Sequence, residues 1–449
     1  MIHENAVLRI ILTLFFVIFF TSARSDDHKS SLNLILIKNV KIWNGNSDEL
    51  TKNQDILIEN NLIKKISRPI VNPDGARVIN GNGLILIPGI IEAHTHIAVP
   101  ISKSKINETD QAYITALSLK VAKDILMRGW TTIRDMGGPS QGIAKAIDDG
   151  HAIGPRIYPS AKFISQTSGH GDFRDYNEDH PSMGAISNYY QKQSSIIADG
   201  PAEVLRAVRE SLRLGASQIK VMAGGGISSD YDPIDSVQYT QEEMRAAVTA
   251  AEQWNTYVAV HAYTDDAVRN ALEAGVKVIE HGHLINKDTL RLMKRKKAYL
   301  STQTFGNARN FARNTNSETA RKARIVLAGV NDLMINAKKI GVPIAFGTDS
   351  FGSISAFENA PKEFGYRLDW FTSLEILKQA TSTNAKLLEL TGPRNPYKDG
   401  PLGVIEEGAY ADLLILKENP LNDIRVLEDY ENNILLIMKN GEIYKNLLK

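Results

Sequence analysis

The 449-residue sequence contains no cysteine. That excludes disulfides and a lipidated cysteine anchor, even in an oxidising compartment. A chain this long buries enough core to be stable without cross-links. It also lacks an excess of charge: Lys plus Arg total 52 against 51 Asp plus Glu, so no global field favours nucleic acid or an anionic membrane. No basic tract with interleaved aromatics is present, and nucleic-acid binding is set aside. No internal repeat is found. Nor is there an apolar run of about twenty residues, the length a membrane-spanning helix needs.

What is present begins with a processing signal. Arg9 precedes "IILTLFFVIFF", and "TSA" follows at Thr21 to Ala23. This is the layout of a secretory signal cleaved after Ala23, so residues 1–25 are expected to be a signal peptide and the mature chain periplasmic or secreted. Glu4 weakens the positive region, leaving an uncleaved membrane anchor as the alternative. After a polar linker, alternating segments such as "LNLILIKNVKIWNG" and "DILIENNLIKKIS" read as short strands, punctuated by Asn-Gly and Asn-Asn pairs. The same texture returns in "ADLLILKEN" and "NILLIMKNGEIYK". The expectation is a small β-sandwich assembled from both ends, residues 26–83 and 401–449.

Residues 84–400 have a different rhythm. Eight β-rich runs alternate with amphipathic segments: "LILIPGIIEAHTHI", "TTIRDMG", "RIYPSAKFI", "SQIKVMAG", "YVAVHAY", "VKVIEHGH", "AYLSTQT" and "VPIAFGTDS". Intervening stretches such as "PAEVLRAVRESLRLG" and "TQEEMRAAVTAAEQWN" carry apolar residues at helical spacing and end in Gly or Asn. Eight alternations predict an α/β fold, a (β/α)8 barrel. A doubly wound open sheet is the runner-up, but no G-x-G-x-x-G follows the first strand.

In such a barrel the chemistry sits at the C-terminal strand ends. The first run ends in His94 and His96, which as i and i+2 of a strand share a face and can reach one ion. The fourth holds Lys220 between Ile219 and Val221. A buried ammonium is costly, so this lysine is paired with a carboxylate, snorkels to the surface, or is carboxylated by CO2 to an anionic carbamate able to bridge two cations. The fifth run places His261 near its end, and the sixth offers His281 and His283. Asp349 follows the eighth, where a carboxylate serves as helix cap, metal ligand or general base. Asp135 also ends a strand and is read as structural.

These motifs together resemble the amidohydrolase superfamily, in its imidazolonepropionase-like and prolidase-like branch. "PGIIEAHTHI", "SQIKVMAGGG", "VAVHAYT", "VIEHGH", "AFGTDS" and "PLGVIEEGAYADLLILKENPLNDI" carry the resemblance over nearly the whole mature chain. Glu92 stands where the family usually has Asp. The resemblance implies that His94, His96 and Asp349 hold one divalent metal and His261 and His281 a second, with N6-carboxylated Lys220 and a hydroxide between them. Zinc is the default ion, although such ligands also suit Mn or Co. His283 is then a neighbour of the metal site or faces substrate. "SGHGD" makes His170 a substrate-binding candidate, and Tyr231 occupies a position where the branch offers a substrate-binding tyrosine.

The implied reaction is hydroxide attack on the amide carbonyl of a small dipeptide or N-acyl amino acid, of Xaa-Pro or C-terminal Arg or Lys type, with Asp349 shuttling the proton to the departing amine. Residues 172–200 are expected to shape specificity, although Arg174 reads most simply as a surface residue. Phosphotriester or lactone hydrolysis is the alternative chemistry. Deaminases fit less well, because "HAYTDDA" lacks their glutamate after the fifth-strand histidine. An inactive scaffold would have lost ligands, and all six positions are filled. Relatives are often homo-oligomers, and the same state is expected here.

Overall fold

Five strands open the fold: β1 (Leu34–Ile42), β2 (Thr51–Glu59), β3 (Leu62–Ser67), β4 (Arg77–Asn80) and β5 (Ile85–Pro88). They belong to a computed structural model that describes residues 32–306 and 308–448. The signal-peptide expectation for residues 1–25 lies outside the described residues. β2 and β3 form a hairpin whose turn places Asn60 in the left-handed region, with φ 55°. β4 and β5 both run parallel to β1, one along each half of it.

Ten strands follow: β6 (Ile90–Thr95), β7 (Trp130–Asp135), β8 (Arg156–Pro159), β9 (Phe163–Ser165), β10 (Ser195–Ile197), β11 (Ile219–Met222), β12 (Val258–Thr264), β13 (Val278–Leu284), β14 (Tyr299–Thr302) and β15 (Ile344–Phe346). Every pairing among them is parallel, in the orders β6-β7-β8 and β10-β9-β11-β12-β13-β14-β15. Parallel strands need crossovers, and the amphipathic stretches supply helices at Gln111–Met127, Pro201–Arg213 and Gln241–Gln253. The last starts with a capping box, Thr240 with Glu243. Strands buried on both faces explain the near-continuous apolar runs. The two sheets approach each other at both margins. Asp349 N donates to His94 O at 2.7 Å beside a parallel bridge from Thr95 to Ser350, and Ser217 N donates to Pro159 O at 2.7 Å.

β16 (Leu413–Leu416), β17 (Ile434–Lys439) and β18 (Glu442–Asn446) return to the first sheet, whose order is β18-β17-β16-β5-β1-β2-β3. β16 lies antiparallel to β5, so both ends of the chain do contribute to one sheet. Its core mixes Ile35, Ile56 and Leu86 with Leu413, Leu436 and Met438. Among the described residues, no helix is long and apolar enough to cross a membrane.

All eight expected runs contain strand, but two of them break. The run at 84–97 is two strands in different sheets, β5 and β6, separated at Gly89. A Cβ at Gly89 would sit 2.1 Å from Thr131 Oγ1, so only glycine lets the chain pass between the sheets. The run at 156–164 likewise divides into β8 and β9 around Ala161, whose φ is 63°. β10 lies inside the segment expected to be a specificity loop.

Candidate active site

Five imidazoles are successive neighbours, four of them on or just after strands β6, β12 and β13 and the fifth, His170, in the loop after β9. Ring centroids are 5.2 Å apart for His96–His94, 5.1 Å for His94–His281, 4.6 Å for His281–His261 and 4.1 Å for His261–His170. His94 lies in β6, and His96 one residue past its end. Both still turn inward, because Asp135 accepts from Ile97 N at 2.8 Å and holds the chain beyond the strand. The structural role expected of Asp135 is thus seen in a specific contact.

Hydrogen bonds decide which ring atoms face a ligand. His94 Nδ1 meets Glu280 Oε2 at 2.7 Å and His96 Nδ1 meets Gly137 O at 3.2 Å. Donation from Nδ1 leaves both Nε2 lone pairs inward, where they lie 3.3 Å apart and each 3.3 Å from Asp349 Oδ1. These three ligand atoms form a compact group able to hold a cation. His281 turns Nδ1 to Gln303 Oε1 at 2.8 Å and keeps Nε2 available, whereas His261 uses Nε2 on Gly225 O at 3.2 Å and keeps Nδ1.

Burial holds three of these rings, His94, His261 and His281, neutral. It carries His94 and His261 well below the ordinary histidine value and His281 to about 3. Burial alone would raise Asp349, but His94, His96 and His281 outweigh it and keep the carboxyl well below its usual range. His281 and Asp349 both adopt left-handed backbone, with φ 73° and 55°. This is rare for such residues and is sustained at functional sites by the surrounding packing. At His281 it accompanies a bulge: between the pairs Ala262↔His281 and Thr264↔Leu284, β13 carries one extra residue.

Lys220 is 2 % exposed and lines the same cavity as the histidines. Among the described residues no carboxylate lies within 4.0 Å of its Nζ, which removes the paired-lysine reading, and its burial removes the snorkelling one. Burial pulls the amine down to about 8, partly opposed by the fields of Glu280 and Asp349. Burial thus makes the uncharged, nucleophilic amine more accessible than in an exposed lysine. The cavity, of about 680 Å³, brings together His94, His96, Lys220, His261, His281, Asp349 and His170. The convergent Nε2 atoms of His94 and His96 with the Asp349 carboxylate fit a divalent cation.

The other candidates are placed differently. His170 is 8 % exposed, with Nδ1 2.7 Å from Ser229 Oγ and 3.4 Å from Asp232 Oδ2. Gly226 makes room for it: a Cβ there would lie 1.9 Å from the ring. His283 points Nε2 at Gln303 O, 2.8 Å away, and is not among the cavity-lining side chains. Tyr231 is 45 % exposed and also outside the lining. Arg174 is not the surface arginine expected: only 14 % of its side chain is exposed, and it pairs at 2.6 Å with buried Asp172. The phenol that does reach the histidines is Tyr263, 4.9 Å from the His261 ring. Its signal was its position two residues after His261, on the same strand face.

A supporting layer was not anticipated. Arg134, fully buried, binds Glu280 Oε1 at 2.6 Å and Ala93 O at 2.6 Å, so Glu280 spans Arg134 and His94. Glu92 accepts from both His94 N and Thr348 N at 2.9 Å, tying β6 to the segment after β15. The residue that departs from the family's usual Asp is therefore a backbone clamp.

The parallel α/β fold and its His94–His96–Asp349 cluster make a candidate metal-dependent active site, and similarity to known proteins says of which kind. Residues 85–444 match the amidohydrolase family, and the chain belongs to that family. It is 32% identical over 377 residues to ochratoxinase of Aspergillus niger, covering 80% of this chain and 76% of that protein. Among solved structures it is similar to an amidohydrolase (TM-score 0.85, 31% identity, 93% of this chain and 100% of that one). It is also similar to a prolidase complexed with N-methylphosphonate-L-proline (TM-score 0.84, 31% identity, 92% and 100%). The family and these neighbours are hydrolases acting on amide bonds.

Proposed function

We propose that the chain is a two-metal amidohydrolase that cleaves the amide bond of a small dipeptide or N-acyl amino acid. One observation carries this reading: six side chains from five strands or the segments just after them line one cavity, among them a buried lysine without a carboxylate partner. His94, His96 and Asp349 would hold one cation, and His261 and His281 the other. Lys220, carboxylated on Nζ, would reach both; its partly uncharged amine suits reaction with CO2. Zinc is the ion we expect. Bound there, the cations would supply a water-derived nucleophile near neutral pH and draw charge from the carbonyl.

The chain's own groups do the rest. Asp349 stays ionised, so its carboxylate can accept a proton and return it to the nitrogen of the scissile amide, which otherwise leaves too poorly. His170 aims Nδ1 at Ser229 and Asp232, leaving Nε2 for a carbonyl or carboxylate of the substrate. Glu280, Gly137 and Gln303 fix the ring orientations, so no reorganisation is needed as charge develops. We further propose that the parallel strands close into a (β/α)8 barrel, that the sheet from both termini folds as a β-sandwich, and that the chain is exported.

The test is hydrolysis of dipeptides and N-acyl amino acids by zinc- and bicarbonate-supplied protein, beside a phosphotriester. Amide turnover that chelation abolishes supports the reading. Turnover of the phosphotriester alone overturns it.

A further inference from the structure

Resting on the amide-hydrolase reading, we propose that the substrate carries a bulky apolar group, best an aromatic one, next to the scissile amide, and no cationic side chain. The walls of the cavity point there. A continuous path of rings leads away from the metal-site histidines: Phe351 lies 5.7 Å from His96, Phe163 5.3 Å from His96, Phe173 6.0 Å from Phe163, and Tyr190 4.9 Å from Phe173. Beyond β14, separated from β9 by three intervening strands in the sheet order, Phe305 stacks on His283 at 4.9 Å and on His281 at 6.0 Å. Its φ of 49° is rare for an aromatic residue, so packing holds this ring over the site. All five rings line the cavity, with Met222 and Ile227. At about 680 Å³ the space can hold an amino acid and a ring on either side of its amide.

Charge argues the same way by exclusion. Among the described lining residues the carboxylates are Asp349 and Glu363. Asp349 is held by His94 and His96. Glu363 is occupied by Thr304 N at 3.0 Å, Thr304 Oγ1 at 2.7 Å and Arg367 Nε at 3.0 Å. Lys103 adds a cation, paired with Asp175 at 2.9 Å. A guanidinium or ammonium entering this space would shed water with no free carboxylate to receive it. An aromatic ring would exchange water for edge and face contacts with Phe163, Phe173 and Phe305. The C-terminal Arg or Lys type of substrate is therefore the disfavoured one.

The experiment compares N-acetylglycine, N-acetyl-L-phenylalanine, N-benzoylglycine and N-acetyl-L-arginine on the metal-supplied full chain. Both kcat/KM and the thermal shift on binding are read. At least one aromatic member should exceed N-acetylglycine by ~10-fold or more, arginine should not, and Phe173→Ala should shrink the aromatic-to-glycine ratio. Equal rates across the series, or preference for arginine, overturn the inference. Should no member turn over with metal bound, the hydrolase reading fails separately. The thermal shift then decides: aromatic-selective stabilisation upholds the inference and its absence defeats it.

Discussion

Lys220 is the residue whose chemistry distinguishes this site from a cluster of histidines. Lys220→Ala should lose metal and activity, with partial recovery on adding a short carboxylic acid; turnover assays with and without propionate check this. Asp349→Asn keeps an oxygen near the cation and should retain much of the metal while turnover falls, ~100-fold or more for loss of a positioned acid–base group. Glu280 invites a sharper test, because it joins Arg134 to His94 with neither exposed. Glu280→Gln should weaken metal binding ~10–100-fold and, by leaving Arg134 unpaired, cost about 3–5 kcal/mol of stability. Metal titration and denaturant unfolding read the two effects independently. The six proposed ligands were legible because each sits in or directly after a run that must be buried. Glu280 and Arg134 were not, since a charged residue in a buried strand shows its cost in the sequence but not its partner. Tyr231 was assigned by resemblance alone, and the path of the loop after Gly226, which puts it on the surface, leaves no periodic trace.

The elements show where periodicity informs and where it stops. Short apolar runs alternating with amphipathic segments located the parallel strands of the eight runs, and Gly or Asn marked the helix ends at Gly129, Gly215 and Asn255. It did not reveal that residues 84–97 cross from one sheet to another, because β5 and β6 are both fully buried and read as one apolar run. The Pro88-Gly89 pair was the available signal. Gly89→Val should force Thr131 away and lower the melting temperature, at ~1–3 kcal/mol for overpacking, without a direct effect on the metal residues. Thermal melts with and without metal check this. The left-handed backbone at His281 is likewise invisible to strand periodicity, since it arises from the extra residue β13 carries against β12.

At the scale of the molecule, five strands from one end of the chain and three from the other make one sheet, with β5 between β1 and β16. Deleting residues 413–449 should therefore expose the paired edge of β5 and leave the chain insoluble, a result that expression and fractionation would show. The buried imidazoles also set a pH dependence. His281 at about 3 and His283 at about 4 in the fold, against an ordinary 6.5, mean that the unfolded chain binds more protons below pH ~6.5. Stability of the metal-free protein should then fall as pH drops from ~6.5 towards ~4, by up to ~1.4 kcal/mol per unit for each such histidine. The most direct test of the account is metal content per chain, measured by mass spectrometry on the native protein and on Lys220→Ala. The account predicts close to two ions bound to the native chain and a clear loss in the variant. Two ions retained without Lys220, or none bound by the native chain in excess zinc and bicarbonate, would contradict it.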